Sequence, residues 1–86
     1  MIVKLQRSGM VSHAHICECD SVHISETEDE KNNNIYSVII LHKDNQLVAE
    51  WHAGKDGDDH LYIMDNGKTA DHIHCMRRPI KKQIRW

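Results

Sequence analysis

Side chains that change character at every second residue dominate this chain. Met1, Val3 and Leu5 alternate with Lys4 and Gln6, although Ile2 breaks the polar side. Leu47, Ala49, Trp51 and Ala53 alternate with Val48, Glu50 and His52. A period of two fits an extended strand, whose successive side chains point to opposite faces. It does not fit a helix, whose apolar positions recur every three or four residues. The alternation therefore predicts strands covered on one face, as antiparallel sheets provide.

The remaining runs follow the same rule. Over residues 14–25, Ala14, Ile16, Val22 and Ile24 share one side, interrupted by Glu18 and Asp20, which predicts a bulge or bend in mid-run. Residues 26–34 are charged and then Asn-rich, and read as a loop. Residues 36–42 are almost continuously apolar, as in a central strand. Lys43-Asp44-Asn45 is turn material joining that run to residues 46–53 as a hairpin. Residues 54–59 form a Gly- and Asp-rich loop before a short strand over residues 60–64. Asp65-Asn66-Gly67-Lys68 is the strongest turn signal, because Asn-Gly tolerates the positive φ of a type I′ turn. Residues 69–75 return as a strand, or as a short helix capped by Thr69. After Pro79, residues Ile80, Lys82, Ile84 and Trp86 share a face, as in an edge strand or docked tail. The expected fold is all-β and mainly antiparallel, a five- to six-stranded meander, barrel or sandwich with at most one short helix. One small domain spans residues 1–86, with a basic strand or tail over residues 77–86.

Composition limits what such a domain can do. Phe is absent from the 86 residues, so the core rests on Ile, Val, Leu and Met. A core of this size leaves little stability to spare, which favours support from a homo-oligomer, a metal or a disulfide. A formal net charge of −2 does not supply the uniform basic field of a nucleic-acid protein. The charges are segregated: Glu18, Asp20, Glu26, Glu28, Asp29 and Glu30 lie in a stretch without Lys or Arg, whereas Arg77, Arg78, Lys81, Lys82 and Arg85 lie in one without acids. Three cysteines make no paired framework, no apolar leader follows Met1, and no run approaches the ~18 apolar residues of a membrane helix. These features lead us to expect reduced thiols, a cytoplasmic location and no membrane partner.

Eight histidines make the chain histidine-rich, and histidine changes charge near neutral pH. On an extended strand His13, His15, Cys17 and Cys19 point to one side, about 7 Å apart in succession. With His72, His74 or Cys75 completing the set, these are the candidate ligands for zinc or another transition metal. Against that reading, Cys-x-Cys is not the usual zinc spacing, and reduced cysteine also serves as a small core residue. No Gly-x-Ser-x-Gly elbow, phosphate loop or facing carboxylate pair frames a catalytic site, so an enzyme is not expected. The basic tail offers Arg77, Arg78, Lys81, Lys82, Arg85 and Trp86 for phosphate attraction and base stacking.

The hairpin strand over residues 47–53, the strand Leu61-Tyr62-Ile63-Met64 and the turn Asp65-Asn66-Gly67-Lys68-Thr69 resemble in character the small β proteins encoded by bacteriophages and other mobile elements. Many of those are non-catalytic inhibitors, such as anti-CRISPR proteins or sponges for signalling nucleotides. The resemblance implies a phage-type inhibitor of a host system, with no residue role carried over. The expected function is thus a non-enzymatic binding protein that occludes or sequesters a host protein or small ligand, with Trp51 and Trp86 as aromatic anchors. The alternatives are a zinc protein built on the His/Cys cluster and a nucleic-acid or nucleotide binder built on the tail.

Overall fold

The computed structural model describes residues 1–9 and 14–80. Its elements are β1 (Ile2–Arg7), β2 (Ala14–Glu18), β3 (Ser21–Asp29), β4 (Asn34–Lys43), β5 (Gln46–Ala53), β6 (Asp59–Asp65), β7 (Lys68–Cys75) and β8 (Arg78–Pro79). The first sheet has the order β2-β1-β6-β7; the second has the order β3-β4-β5, with β8 also paired to β4. Every pairing is antiparallel. The fold is all-β, as the alternation requires, and there is no helix among the described residues.

Each sheet buries one face against the other. Val3 and Leu5 of β1, Leu61 of β6 and Cys75 of β7 meet Ile39 and Leu41 of β4 and Ala53 of β5, with Cys19 in the same core. Removing this apolar surface from water is the main stabilising term, at about 25 cal/mol per Å². The register carries the inner face across each sheet. Val3 stands opposite Cys17 and Ile63, Leu5 opposite His15 and Leu61, and Ile39 opposite Ile24 and Trp51.

The sheets meet where β2 becomes β3. Cys19 still belongs to the first sheet: its N–H donates to the Met1 carbonyl and its carbonyl accepts from the Met1 ammonium, each at 3.0 Å. Asp20 already belongs to the second, donating its N–H to the His42 carbonyl at 2.8 Å. The chain therefore bends between these residues, where the sequence predicts a bend. The bend also changes parity, which corrects the expected face. Before it the odd residues His15 and Cys17 turn inward; after it the even residues Val22 and Ile24 do so. Ala14 and Ile16 consequently lie on the outside of the first sheet, and Ile16 is 67% exposed.

Four further expectations are corrected. Among the described residues the strands number eight rather than five or six, because the corner divides one run in two and residues around Pro79 add a short strand. The expected loop over residues 26–34 shrinks to a turn, since β3 continues through Glu26, Thr27, Glu28 and Asp29 opposite β4. An edge strand tolerates these acids, and inward or exposed charge there discourages pairing with other chains. No helix starts at Thr69; β7 begins at Lys68, with an irregularity beside Met64. Leu47 does not share the inner face of β5. A bulge beside His42 sets Leu47 opposite His42, leaving it 60% exposed. The two-residue turns at Asp44-Asn45 and Asn66-Gly67 have the positive φ values a type I′ hairpin needs, 52° and 62°, and 52° and 76°.

The loop between β5 and β6 hangs on a buried carboxylate. Asp59 accepts from the Gly54 N–H at 2.8 Å and from Arg7 Nε at 3.2 Å. Gly54 has φ 81°, and a Cβ there would lie 2.9 Å from the Cys75 carbonyl oxygen. Asp59→Ala should destabilise the domain by about 1–3 kcal/mol by orphaning the buried N–H. Gly54→Ala should lower the urea midpoint more than Gly67→Ala, whose added Cβ meets nothing within 4 Å and leaves only the ~1–2 kcal/mol of left-handed backbone strain. Equal midpoints for the two alanine variants would contradict the close packing of β5 on β7.

Candidate functional site on the outer face of the first sheet

The parity that buries Val3, Leu5 and Leu61 turns their neighbours outward. Across the four strands, Ile16, Lys4, Tyr62 and His72 stand opposite one another in one strip. Ala14, Gln6, His60 and His74 form the next. Adjacent strips place three imidazoles and a phenol side by side, His72 and His74 exposed and His60 and Tyr62 half-buried. His60 stacks on His74 with centroids 4.5 Å apart and planes 4° apart, and Tyr62 stacks on His72 at 4.6 Å and 4°. His60 also lies 5.1 Å from His72, and Lys4 Nζ is 5.6 Å from the Tyr62 ring centre.

Polar contacts fix these rings. His60 Nδ1 and His72 Nε2 share a hydrogen bond of 2.9 Å, and His60 Nε2 and Ser8 Oγ share one of 2.7 Å. Ser8 is itself held by its N–H donating to the Asp58 carbonyl at 2.9 Å. Asp58 Oδ2 lies 3.6 Å from His74 Nε2, within ion-pair range. Beyond the rings the face becomes apolar: Ile2, opposite Glu18 and Met64, is 47% exposed. The face can bind by stacking, by imidazole ligation and by apolar contact.

The candidates expected from the sequence are dispersed. His15 and Cys17 occupy the inner side of β2, where His15 lies 5.8 Å from Trp51 and Cys17 packs against the core. Trp51 is half-buried and packed inward. Cys19 and Cys75 are buried in the core, and Cys75 faces the side opposite His72 and His74. His72 and His74 are brought together with His60, which the sequence reading did not single out. The signal lay in the even spacing of His60 and Tyr62 and of His72 and His74, but their alignment depends on register. As the rings stand, no group of three metal-ligating side chains is gathered among the described residues. Arg78 is paired with Glu26, joining the basic and acidic stretches, and Arg77 is exposed. His13, Lys81, Lys82, Arg85 and Trp86 lie outside the described residues.

Two other features complete the surface. On the outer face of the second sheet, Glu50 Oε2 lies 3.3 Å from His52 Nε2, and His52 Nδ1 lies 3.2 Å from the Tyr36 hydroxyl. The carboxylate accepts from Nε2, so Nδ1 accepts from the phenol, which gives the buried Tyr36 its polar partner. Between the edges of β3 and β7, an open cleft of about 610 Å³ is lined by Ile24, Ile35, Ile73 and Met76 beside Glu26 and Arg78. No helix among the described residues is long and apolar enough to cross a membrane. No family model, curated protein or solved structure matches this chain.

Burial pushes the Cys19 and Cys75 thiols above their ordinary range. Both folded-state values exceed the unfolded ones, so this stabilisation is complete below the unfolded thiol pKa of about 8.5 and is lost as pH rises through the raised values. Denaturant melts should therefore show falling stability on the alkaline side, with a shallower fall in Cys75→Ala. Iodoacetamide should modify the half-buried Cys17 in the native protein and reach Cys19 and Cys75 only on unfolding. Equal native labelling of all three would contradict the buried placement.

Proposed function

We propose that this protein is a non-enzymatic binding module that occludes a protein partner with the outer face of its first sheet. The strip Ile16, Lys4, Tyr62 and His72 carries the reading, because register alone places an apolar, a cationic, an aromatic and an imidazole group in line on exposed sheet. A face with an aromatic centre and an exposed Ile on the neighbouring edge carries the aromatic and apolar groups that interfaces favour. Lys4, poised over Tyr62, keeps its charge near the centre and favours an acidic partner surface. The resemblance to mobile-element inhibitors adds the class of partner, a protein of a host system. A second copy of this chain is a further partner that the same face suits, since a small core gains from oligomerisation.

The test compares wild type with an Ile16→Asp, Tyr62→Asp double variant as bait for host proteins, with circular dichroism confirming that both fold. Proteins retained by wild type should be lost with the variant, by at least about tenfold for anchors of this kind. Light scattering on the same pair reads self-association. Retention of the same partners and the same oligomeric mass by both proteins would refute the assignment of this face.

A further inference from the structure

We propose that His60, His72 and His74 form a binding site for a divalent transition-metal ion of the Zn²⁺, Co²⁺, Ni²⁺ and Cu²⁺ class. The site stands whether or not the surrounding face also covers a protein partner.

The first argument is spacing. A metal–nitrogen distance of about 2.0–2.1 Å places the centre of each imidazole roughly 3 Å from the ion, so two rings on one tetrahedral ion have centres roughly 5 Å apart. His60 sits 5.1 Å from His72, whereas His74 lies 4.5 Å from His60 stacked on it, planes 4° apart, and reaches a shared ion only after its ring turns. Likewise, His60 Nδ1 and His72 Nε2 are 2.9 Å apart, close to the separation of roughly 3.3 Å between two nitrogens on such an ion. The backbone sets this geometry: His72 and His74 are two residues apart on β7, and His60 stands opposite His74 on β6.

The second argument is the outer shell. Imidazoles that bind metals usually have the other ring nitrogen held by an acceptor. Ser8 Oγ occupies that place at His60 Nε2, at 2.7 Å, which leaves Nδ1 as the ligating atom. Asp58 Oδ2 stands 3.6 Å from His74 Nε2, at ion-pair range, without fixing which nitrogen of that ring ligates. His72 presents Nε2 toward His60. The ligand set is therefore His60 Nδ1, His72 Nε2 and a ring nitrogen of His74.

The third argument is what the ion replaces. A single proton lies along the 2.9 Å contact between His60 and His72. A metal ion takes that proton's place and adds His74. The stacked rings of His60 and His74 must open for this, through rotation about χ2, a broad and soft torsion. Both β7 histidines are exposed, so the rotation displaces solvent and no core residue. Nitrogen-only ligation from imidazole suits Zn²⁺ and its neighbours, with Cu²⁺ binding most tightly, and does not suit Ca²⁺ or Mg²⁺. Water fills the fourth position on this open face.

The experiment uses untagged full-length protein. Co²⁺ is titrated by absorption and Zn²⁺ by calorimetry, and the metal's protection of individual histidines from diethyl pyrocarbonate is read by mass spectrometry. We expect one ion per chain, with His60, His72 and His74 protected together in unmodified protein, so that the readout does not depend on variants. His72→Ala and His74→Ala, which leave the core untouched, should each weaken binding at least tenfold. Ser8→Ala should weaken it by about ten- to a hundredfold. His15→Ala and Cys17→Ala should leave it unchanged. Absence of saturable binding, protection of other histidines instead, or sensitivity to Cys17 rather than His72 would each overturn the proposal.

Discussion

The backbone ladder at Cys19 and Asp20 holds the two sheets as one core. Cys19 is paired with Met1 in the first sheet, and Asp20 with His42 in the second. The bend reverses which residues face inward, so Cys17 and Cys19 before it and Val22 and Ile24 after it turn to the same interior. Without that reversal, Val22 and Ile24 would point to solvent and Leu41 and Ile39 would lose their neighbours on β3. Because side chains alternate strictly along a strand, a one-residue change in parity moves a whole strand's apolar set from one side to the other.

A second point of control is Asp59. Its carboxylate is buried, yet each contact it makes ties a different element: Arg7 at the end of β1 and Gly54 after β5. A carboxylate in such a place would be costly if unpaired, and it is paired with a cation and a backbone donor. The hydrogen bond and charge of Asp59 in turn hold the Arg7 pKa above its usual high range. The loop that Asp59 secures presents Asp58, which sits beside His74 and carries the carbonyl that holds Ser8. The buried contact on one side of β6 thus fixes the setting of the histidines on the other.

The outer face is the counterpart of the core. Val3, Leu5 and Leu61 use one side of β1 and β6, and the opposite side has no packing duty among the described elements. Groups left there answer to solvent and to whatever binds. Histidine and tyrosine suit the position, since each offers an apolar ring to stack and a polar atom to wet. The same reasoning explains why Cys19 and Cys75 serve as core residues, and why Cys75 does not join its neighbours His72 and His74. One residue's difference in position puts it on the other side of the sheet.

Strands and hairpin turns were legible because they rest on local chemistry, whereas the helix weighed at Thr69 gave way to the pairing of β7 with β6. Alternation marks extended chain, and Asp44-Asn45 and Asn66-Gly67 accept positive φ. Glu18 and Asp20 marked the bend, but not the change of face it brings, since that depends on the hydrogen bonds Cys19 and Asp20 make with distant residues. The candidate site was half legible: His72 and His74 stood out by spacing, whereas His60 gained its meaning only as the cross-strand partner of His74. By itself the sequence determined that this chain is extended, hairpin-rich and covered on one side. Only the tertiary structure decided which strands adjoin, and hence which histidines meet, because pairing register is a property of two segments together and is written in neither alone.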